Sequence, residues 1–373
     1  SYWNSQRVKK TETARSIKPT MTMNEFYPNS YGSMRRELVS ARNLQGPPPP
    51  TYTSPPTDIA VKATPEAYRS DEVIDAARAK AAMGRCSPDN DDESSFCHIP
   101  FHPDEGAFGP SKVGVVFFGG AFVDPRGYAP LAKSIAERYG IPVVIPIFTS
   151  DISLTPGTCE SGRLPMAAAQ FQNVEKWILT GHSLGGIAAT ADAWNSMTNP
   201  NATIDFDMLG GLTLLAADVL NFGCGPTDFS NTDFPMALSS ATEDEVLNRT
   251  RYDLNRPLSS NATYFLEIYG GNHGQFGSYD DSGRVQALGP SQVDGTAFIP
   301  PQVQWDLSTA AIFHVASRSG VPLPQKLNIT DSPTGVPSAS PTTSTTNAPS
   351  SPRQTSNPPT LLCPEIPSGS AAL

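Results

Sequence analysis

The segment Gly181-His182-Ser183-Leu184-Gly185-Gly186 sets one serine between two glycines, a spacing that suits a nucleophile presented on a sharp strand-to-helix turn. A side chain at either flanking glycine would crowd such a turn. A helix starting behind Ser183 would aim its first N–H groups and its positive dipole end at the reacting oxygen. Chance supplies about 0.2 strings of this kind in a chain of this composition, so the surroundings have to support it. They do: the apolar run Trp177–Thr180 precedes it and an alanine-rich helical pattern over 184–197 follows.

A serine hydroxyl needs a base to take its proton, and the chain has five histidines. His182 adjoins Ser183 and would project away from it, as a hydrogen-bonding wall of the turn. His314 lies in an apolar helical stretch, and His98 and His102 precede the main run of strands. His273, within Gly270–Gly277, follows a strand and precedes the last helix, which is the place of the base in the chain order Ser, acid, His. The acid that orients it should follow the strand Met236–Ser239, in the stretch Glu243-Asp244-Glu245. Asp244 is the first choice and Glu243 the second. Two N–H donors must face the oxygen on which charge develops. One is that of Leu184, after the nucleophile, and the other comes from Gly119–Phe122, where Ala121 is preferred and Phe122 is the alternative.

The elements that carry these groups show in the hydrophobic periodicity. Val113–Phe118 is a continuous apolar run ending at Gly119-Gly120, as a strand buried on both faces should be. Ile141–Ile147, Trp177–Thr180, Leu212–Leu215, Met236–Ser239 and Tyr264–Tyr269 read as further strands. Helices are expected over 64–83, with Thr64 as cap and Pro65 in the first turn, and over 129–139, 184–197 and 303–317. Residues 86–111 read as an acidic loop with room for one short strand. Strands alternating with helices give a parallel sheet covered on both faces. Residues 1–58, basic and ending in Pro47–Pro50, read as a disordered lead; 59–327 read as one domain. Residues 328–373, rich in Ser, Thr and Pro, read as a disordered tail resembling an O-glycosylated stalk.

The net charge is −10; residues 1–45 carry +5, which leaves −15 for the remainder. An acidic body argues against nucleic acid as a partner. No apolar run reaches the roughly 18 residues of a membrane span, so no integral membrane segment is expected. Of the five cysteines, Cys86 with Cys97 and Cys159 with Cys224 are candidate bridges, and sequence leaves the pairing open. Cys86, Cys97, His98 and His102 lack the spacing of a zinc site, and Asp89–Glu93 lacks the glycine of a calcium loop. Neither a metal nor a cofactor is expected. The stalk-like tail and the small lysine count lean towards the secretory pathway, whereas the sequons at Asn201, Asn248, Asn261 and Asn328 are no more than chance supplies.

Three blocks resemble the signature segments of one family: Gly120–Tyr128, Val174–Gly186 and Gly271–Gly277. They are similar to those of the α/β-hydrolases of the dienelactone-hydrolase-like, compact "fold-5" group, over roughly residues 110–318. The resemblance implies the α/β-hydrolase fold, a mostly parallel central sheet of about six to eight strands with helices on both faces. It implies a triad of Ser183, Asp244 and His273, and supports Ala121 as an oxyanion residue. Gly119 stands where the family has proline, and Ala241 where a glycine opens the turn to the acid. The expected chemistry is cleavage of a small-molecule carboxylic ester through an acyl-enzyme. Two other readings use the same residues: a lipase or thioesterase for longer acyl chains, with 216–235 as a cover, and a non-catalytic binding protein with the tail as its stalk.

Overall fold

The computed structural model describes residues 53–86, 97–153, 159–220 and 227–327. Seven strands form its centre: β1 (His98–Phe101), β2 (Val113–Phe118), β3 (Val143–Pro146), β4 (Lys176–His182), β5 (Leu209–Leu215), β6 (Met236–Ala241) and β7 (Thr263–Ile268). They lie in the order β1-β3-β2-β4-β5-β6-β7. β1 runs antiparallel to β3, and every other neighbouring pair is parallel. The helices among the described residues are α1 (Asp58–Ala63), α2 (Asp71–Ala82), α3 (Ala129–Tyr139), α4 (Leu164–Gln170), α5 (Leu184–Thr198), α6 (Arg249–Asn255), α7 (Ser282–Leu288) and α8 (Pro301–Ala316).

The period of two along β2 divides the core between the faces of the sheet. Val113, Val115 and Phe117 pack with Leu131 and Ile135 of α3 and Ile312 of α8. Val116 and Phe118 pack on the other face with Ala188, Ala189 and Ala193 of α5. Burial on both faces explains why β2, β3, β4, β5 and β6 read as unbroken apolar runs. α3 ends at Gly140, whose φ of 67° is the left-handed cap that the sequence places there. The short strand allowed for in 86–111 is β1, at the sheet edge.

The helix expected over 64–83 is corrected by the structure. Pro65 disfavours helical geometry at the residue before it, and Thr64 adopts φ −68°, ψ 138° as the C-cap of α1. The longer helix starts after Ser70, whose side chain accepts from the Val73 N–H at 3.4 Å, with Asp71 and Glu72 in its first turn. Residues 53–57, assigned by the sequence to the lead, lie against the loop that leaves β2. The Ser54 N–H donates to the Phe122 carbonyl at 2.7 Å, and the Asp124 N–H donates to the Ser54 carbonyl at 3.1 Å. The remaining lead, 1–52, and the tail, 328–373, lie outside the described residues.

Cys86 and Cys97 form a disulfide that ties the segment after α2 to the start of β1. Cys159 is also disulfide-bonded; Cys224, the partner considered for it, lies outside the described residues. No helix among the described residues is long and apolar enough to cross a membrane. Among the same residues no group of His, Cys, Asp and Glu could hold a metal ion.

Candidate active site

The groups singled out by the sequence all leave the carboxyl ends of parallel strands. Gly119–Phe122 follows β2, Ser183 follows β4, Asp244 lies just beyond β6 and His273 just beyond β7. In an open α/β sheet this edge is where loops from neighbouring strands converge on a ligand.

Ser183 is the N-cap of α5, with φ 54° and ψ −122°. A non-glycine residue in that region is strained and is held by its surroundings. Here the Ser183 N–H donates to the Leu215 carbonyl at 2.9 Å, and the Gly186 N–H donates to the Ser183 carbonyl at 3.0 Å. The glycines are steric necessities. A Cβ on Gly181 would lie 2.2 Å from the Gly185 carbonyl oxygen, and one on Gly185 would lie 2.2 Å from that of Phe118. These are backbone atoms that cannot swing aside, so only glycine lets α5 start this close to the end of β2.

His273 and Asp244 form a buried pair, each side chain 1% exposed, with Nδ1 and Oδ2 2.9 Å apart. Asp244 Oδ1 accepts the N–H groups of Val246 at 2.9 Å and Leu247 at 2.8 Å. Burial alone would raise this carboxyl. The imidazole and the two amides outweigh it and hold Asp244 below the usual carboxylate range. His273 Nε2 is buried and has no hydrogen-bond partner among the described residues. Ala241 ends β6 without a positive φ, so the turn to Asp244 does not need the glycine that the family has there. Glu243, the second choice, turns to its neighbour: its Oε1 accepts from Thr242 Oγ1 at 2.8 Å.

The loop after β2 lies against the elbow, since a Cβ on Gly120 would sit 3.5 Å from that of Ser183. Its amides differ in what they do. The Gly120 N–H donates to the Tyr128 hydroxyl at 2.8 Å. The Phe122 N–H donates to the Asp151 carbonyl at 2.9 Å, so Phe122, the alternative oxyanion donor, is already committed. Between them, the Ala121 N–H donates to no acceptor among the described residues, and neither does the N–H of Leu184.

His182 is the wall that its position suggested. Its Nδ1 lies 2.9 Å from the Tyr128 hydroxyl and its ring centroid 4.6 Å from that of His273. Burial first, then the neighbouring His273 and Arg284, push its imidazole well below the ordinary value. The Tyr128 hydroxyl accepts from Gly120, which leaves its proton for Nδ1 of His182. His98 starts β1, at the outer flank of the sheet, and bonds Gln170, while His102 packs on Phe171 and His314 packs on Tyr264. Within the described parts of 216–235, Val219, Phe229 and Phe234 lie in the core on the α5 face, and Leu220 packs against the cluster that holds Ala121 and Leu184. Residues 221–226 lie outside the described set.

Residues 114–294 match the alpha/beta hydrolase family. The described sheet, with helices on both faces, is that of the α/β-hydrolase fold. Similar solved structures include esterase 2 of the planctomycete Thermogutta terrifontis, at 13% identity and TM-score 0.36, covering 48% of this chain and 79% of that one. An alpha-beta serine hydrolase homologue from Coxiella burnetii has 14% identity and TM-score 0.37, covering 57% of this chain and 89% of its own. A structure from work on the metagenome-derived lipolytic enzymes LipS and LipT has 15% identity and TM-score 0.35, covering 57% and 96%. Comparison with curated proteins gives no match.

Several residues around this candidate site escape sequence reasoning. Tyr128 stands inside a quoted block, but its hydroxyl contact with Gly120 and His182 has no local signature. Asp294 accepts the N–H groups of Gly274 at 2.7 Å, Gly295 at 2.9 Å and Glu245 at 3.3 Å, joining the loops of His273 and Asp244. Its carboxyl is raised, by burial first and then by Asp244, against the opposing pull of His273. Gln304 of α8 brackets Asn272, accepting from its N–H at 3.2 Å and donating to its carbonyl at 2.8 Å.

Proposed function

We propose that this α/β-hydrolase cleaves carboxylic esters of small molecules by acyl transfer through Ser183. The observation that carries the reading is the buried His273–Asp244 pair, which leaves Nε2 of the imidazole uncommitted beside the elbow. Asp244 keeps a proton on Nδ1, so Nε2 accepts the Ser183 proton as Oγ attacks the carbonyl carbon. The N–H groups of Leu184 and Ala121 take up the charge on the carbonyl oxygen. The imidazolium then protonates the departing alkoxide. Water, deprotonated by His273, attacks the acyl-enzyme, and collapse returns Ser183 and the carboxylic acid. Around the two donor amides, Ala121, Phe122, Ile152, Leu184, Ile187 and Leu288 form one apolar cluster. That lining favours uncharged, apolar groups next to the ester.

The test is turnover of p-nitrophenyl acetate by the purified chain. Release of p-nitrophenol that falls by about a thousandfold or more in Ser183→Ala agrees with the reading. Turnover indifferent to that substitution refutes it.

A further inference from the structure

We propose that Arg78, on α2 and ahead of the span that matches the family, is a positioning residue that holds the oxyanion turn in register with Ser183. The inference rests on the ester-hydrolase reading. Its basis is a buried ionic cluster beneath the loop after β2. The Arg78 guanidinium is 12% exposed and grips two aspartates that are nearly inaccessible. Nε donates to Asp151 Oδ1 at 3.0 Å, and Nη2 donates to Asp151 Oδ2 at 2.7 Å and to Asp124 Oδ2 at 2.9 Å. Nη1 reaches the solvent side, to Asp75 at 2.8 Å.

Both aspartates act on the turn. Asp151 lends its carbonyl to the Phe122 N–H, the amide immediately after the free Ala121 N–H. Asp124 accepts the Arg126 N–H and Nε, each at 2.9 Å, and fixes the exit of the same loop. The backbone at this contact is strained from both sides: Phe122, Ser150 and Asp151 have φ of 57°, 56° and 51°. Non-glycine residues keep such conformations only where their surroundings over-determine them. Arg78 supplies that constraint, because it bridges two carboxylates in a dry site and is the cation that pairs with Asp151, whereas Asp124 is also paired with Arg126. Without it, Asp124 keeps Arg126, but Asp151 keeps only the Thr53 hydroxyl, at 2.8 Å. Relief comes from shifting the 149–152 turn, which takes the acceptor from Phe122 and lets the Ala121 N–H swing away from the oxyanion. The bond is aimed at a transition state, so its misalignment acts on kcat more than on KM.

The experiment measures p-nitrophenyl acetate hydrolysis by the full chain, with active sites counted by fluorophosphonate labelling and folding checked by Tm. Arg78→Met is expected to lower kcat per labelled site by about 10- to 100-fold, with KM within about twofold. Arg78→Lys, which keeps the charge but cannot span both aspartates, is expected to lose about 3- to 10-fold. Glu72→Gln, exposed on the same helix, is the unchanged control. A merely structural role would reduce the number of labelled sites and leave kcat per site at the wild-type value, and that result overturns the proposal. If Arg78→Met does not fold, unchanged kcat per site in Arg78→Lys overturns it equally. A wild-type chain that neither turns over the ester nor takes the label refutes the ester-hydrolase reading itself, which separates the two failures.

Discussion

Replacing Asp244 by Asn tests which carboxylate orients His273 while disturbing the fold little. The side-chain oxygen of Asn can still accept the Val246 and Leu247 N–H groups that Asp244 Oδ1 holds at 2.9 and 2.8 Å. Its amide then faces Nδ1 of His273, where the carboxylate lay at 2.9 Å. Two effects follow. The imidazole must accept at Nδ1 and carry its proton on Nε2, the nitrogen that has to receive the Ser183 proton. The imidazolium formed on attack also loses its counter-charge in a pair that is 1% exposed on each side. Unit charges about 4 Å apart attract by about 4 kcal/mol at an effective dielectric of about 20, equivalent to about a thousandfold in rate. The reversed tautomer deepens this, so kcat/KM on p-nitrophenyl acetate is expected to fall about 10³- to 10⁴-fold, with Tm nearly unchanged. Glu243→Gln, measured alongside, is expected to stay within about twofold. Retention of more than a tenth of wild-type activity in Asp244→Asn, or an equal loss in Glu243→Gln, refutes the assignment.

Two further outcomes follow from buried groups. Tyr128→Phe strips the partner from the Gly120 N–H and from His182 Nδ1, both buried, at about 1–3 kcal/mol for each unsatisfied group. In a domain of this size that lowers Tm by about 5–15 °C, and a scan showing no shift contradicts the network. Asp192 of α5 is 1% exposed and its carboxyl is pushed up to about 7, by burial first, against the opposing hydrogen bonds from Ser161. A folded value above the unfolded value of about 3.9 means that the native state binds more protons between them, so stability falls as pH rises from about 4 to 7. Asp192→Asn removes that slope of about 1.4 kcal/mol per pH unit. Urea unfolding at pH 5 and pH 8 should therefore show the variant gaining on the wild type at pH 8, and an equal difference at both pH values is the contrary result.

What could be read from the sequence follows from what is local in it. Strands buried on both faces leave unbroken apolar runs, so β2, β4, β5 and β6 showed themselves, and the glycines around Ser183 marked a turn that tolerates nothing larger. Between Asp244 and Glu243 the chain could only rank neighbours. The choice depends on which carboxylate meets a histidine 29 residues away, a tertiary fact. The same holds for Asp151, which joins Arg78 across 73 positions, and for Asp294, which stitches two loops through backbone amides. Such contacts have no periodicity to betray them. The misplaced start of α2 has a different cause: Thr64-Pro65 satisfies the rule for a helix start, but the proline ends the helix before it and Ser70-Asp71-Glu72 caps the next one.

The central claim is that Ser183 is a nucleophile activated by His273. The most direct measurement is to incubate the folded protein with a fluorophosphonate, weigh the intact chain and map the modified peptide. One adduct per chain on Ser183, formed at least about a thousandfold more slowly in His273→Ala, is the result that follows from the site. A folded chain that takes up no adduct, or takes it up elsewhere or at the same rate without His273, contradicts it.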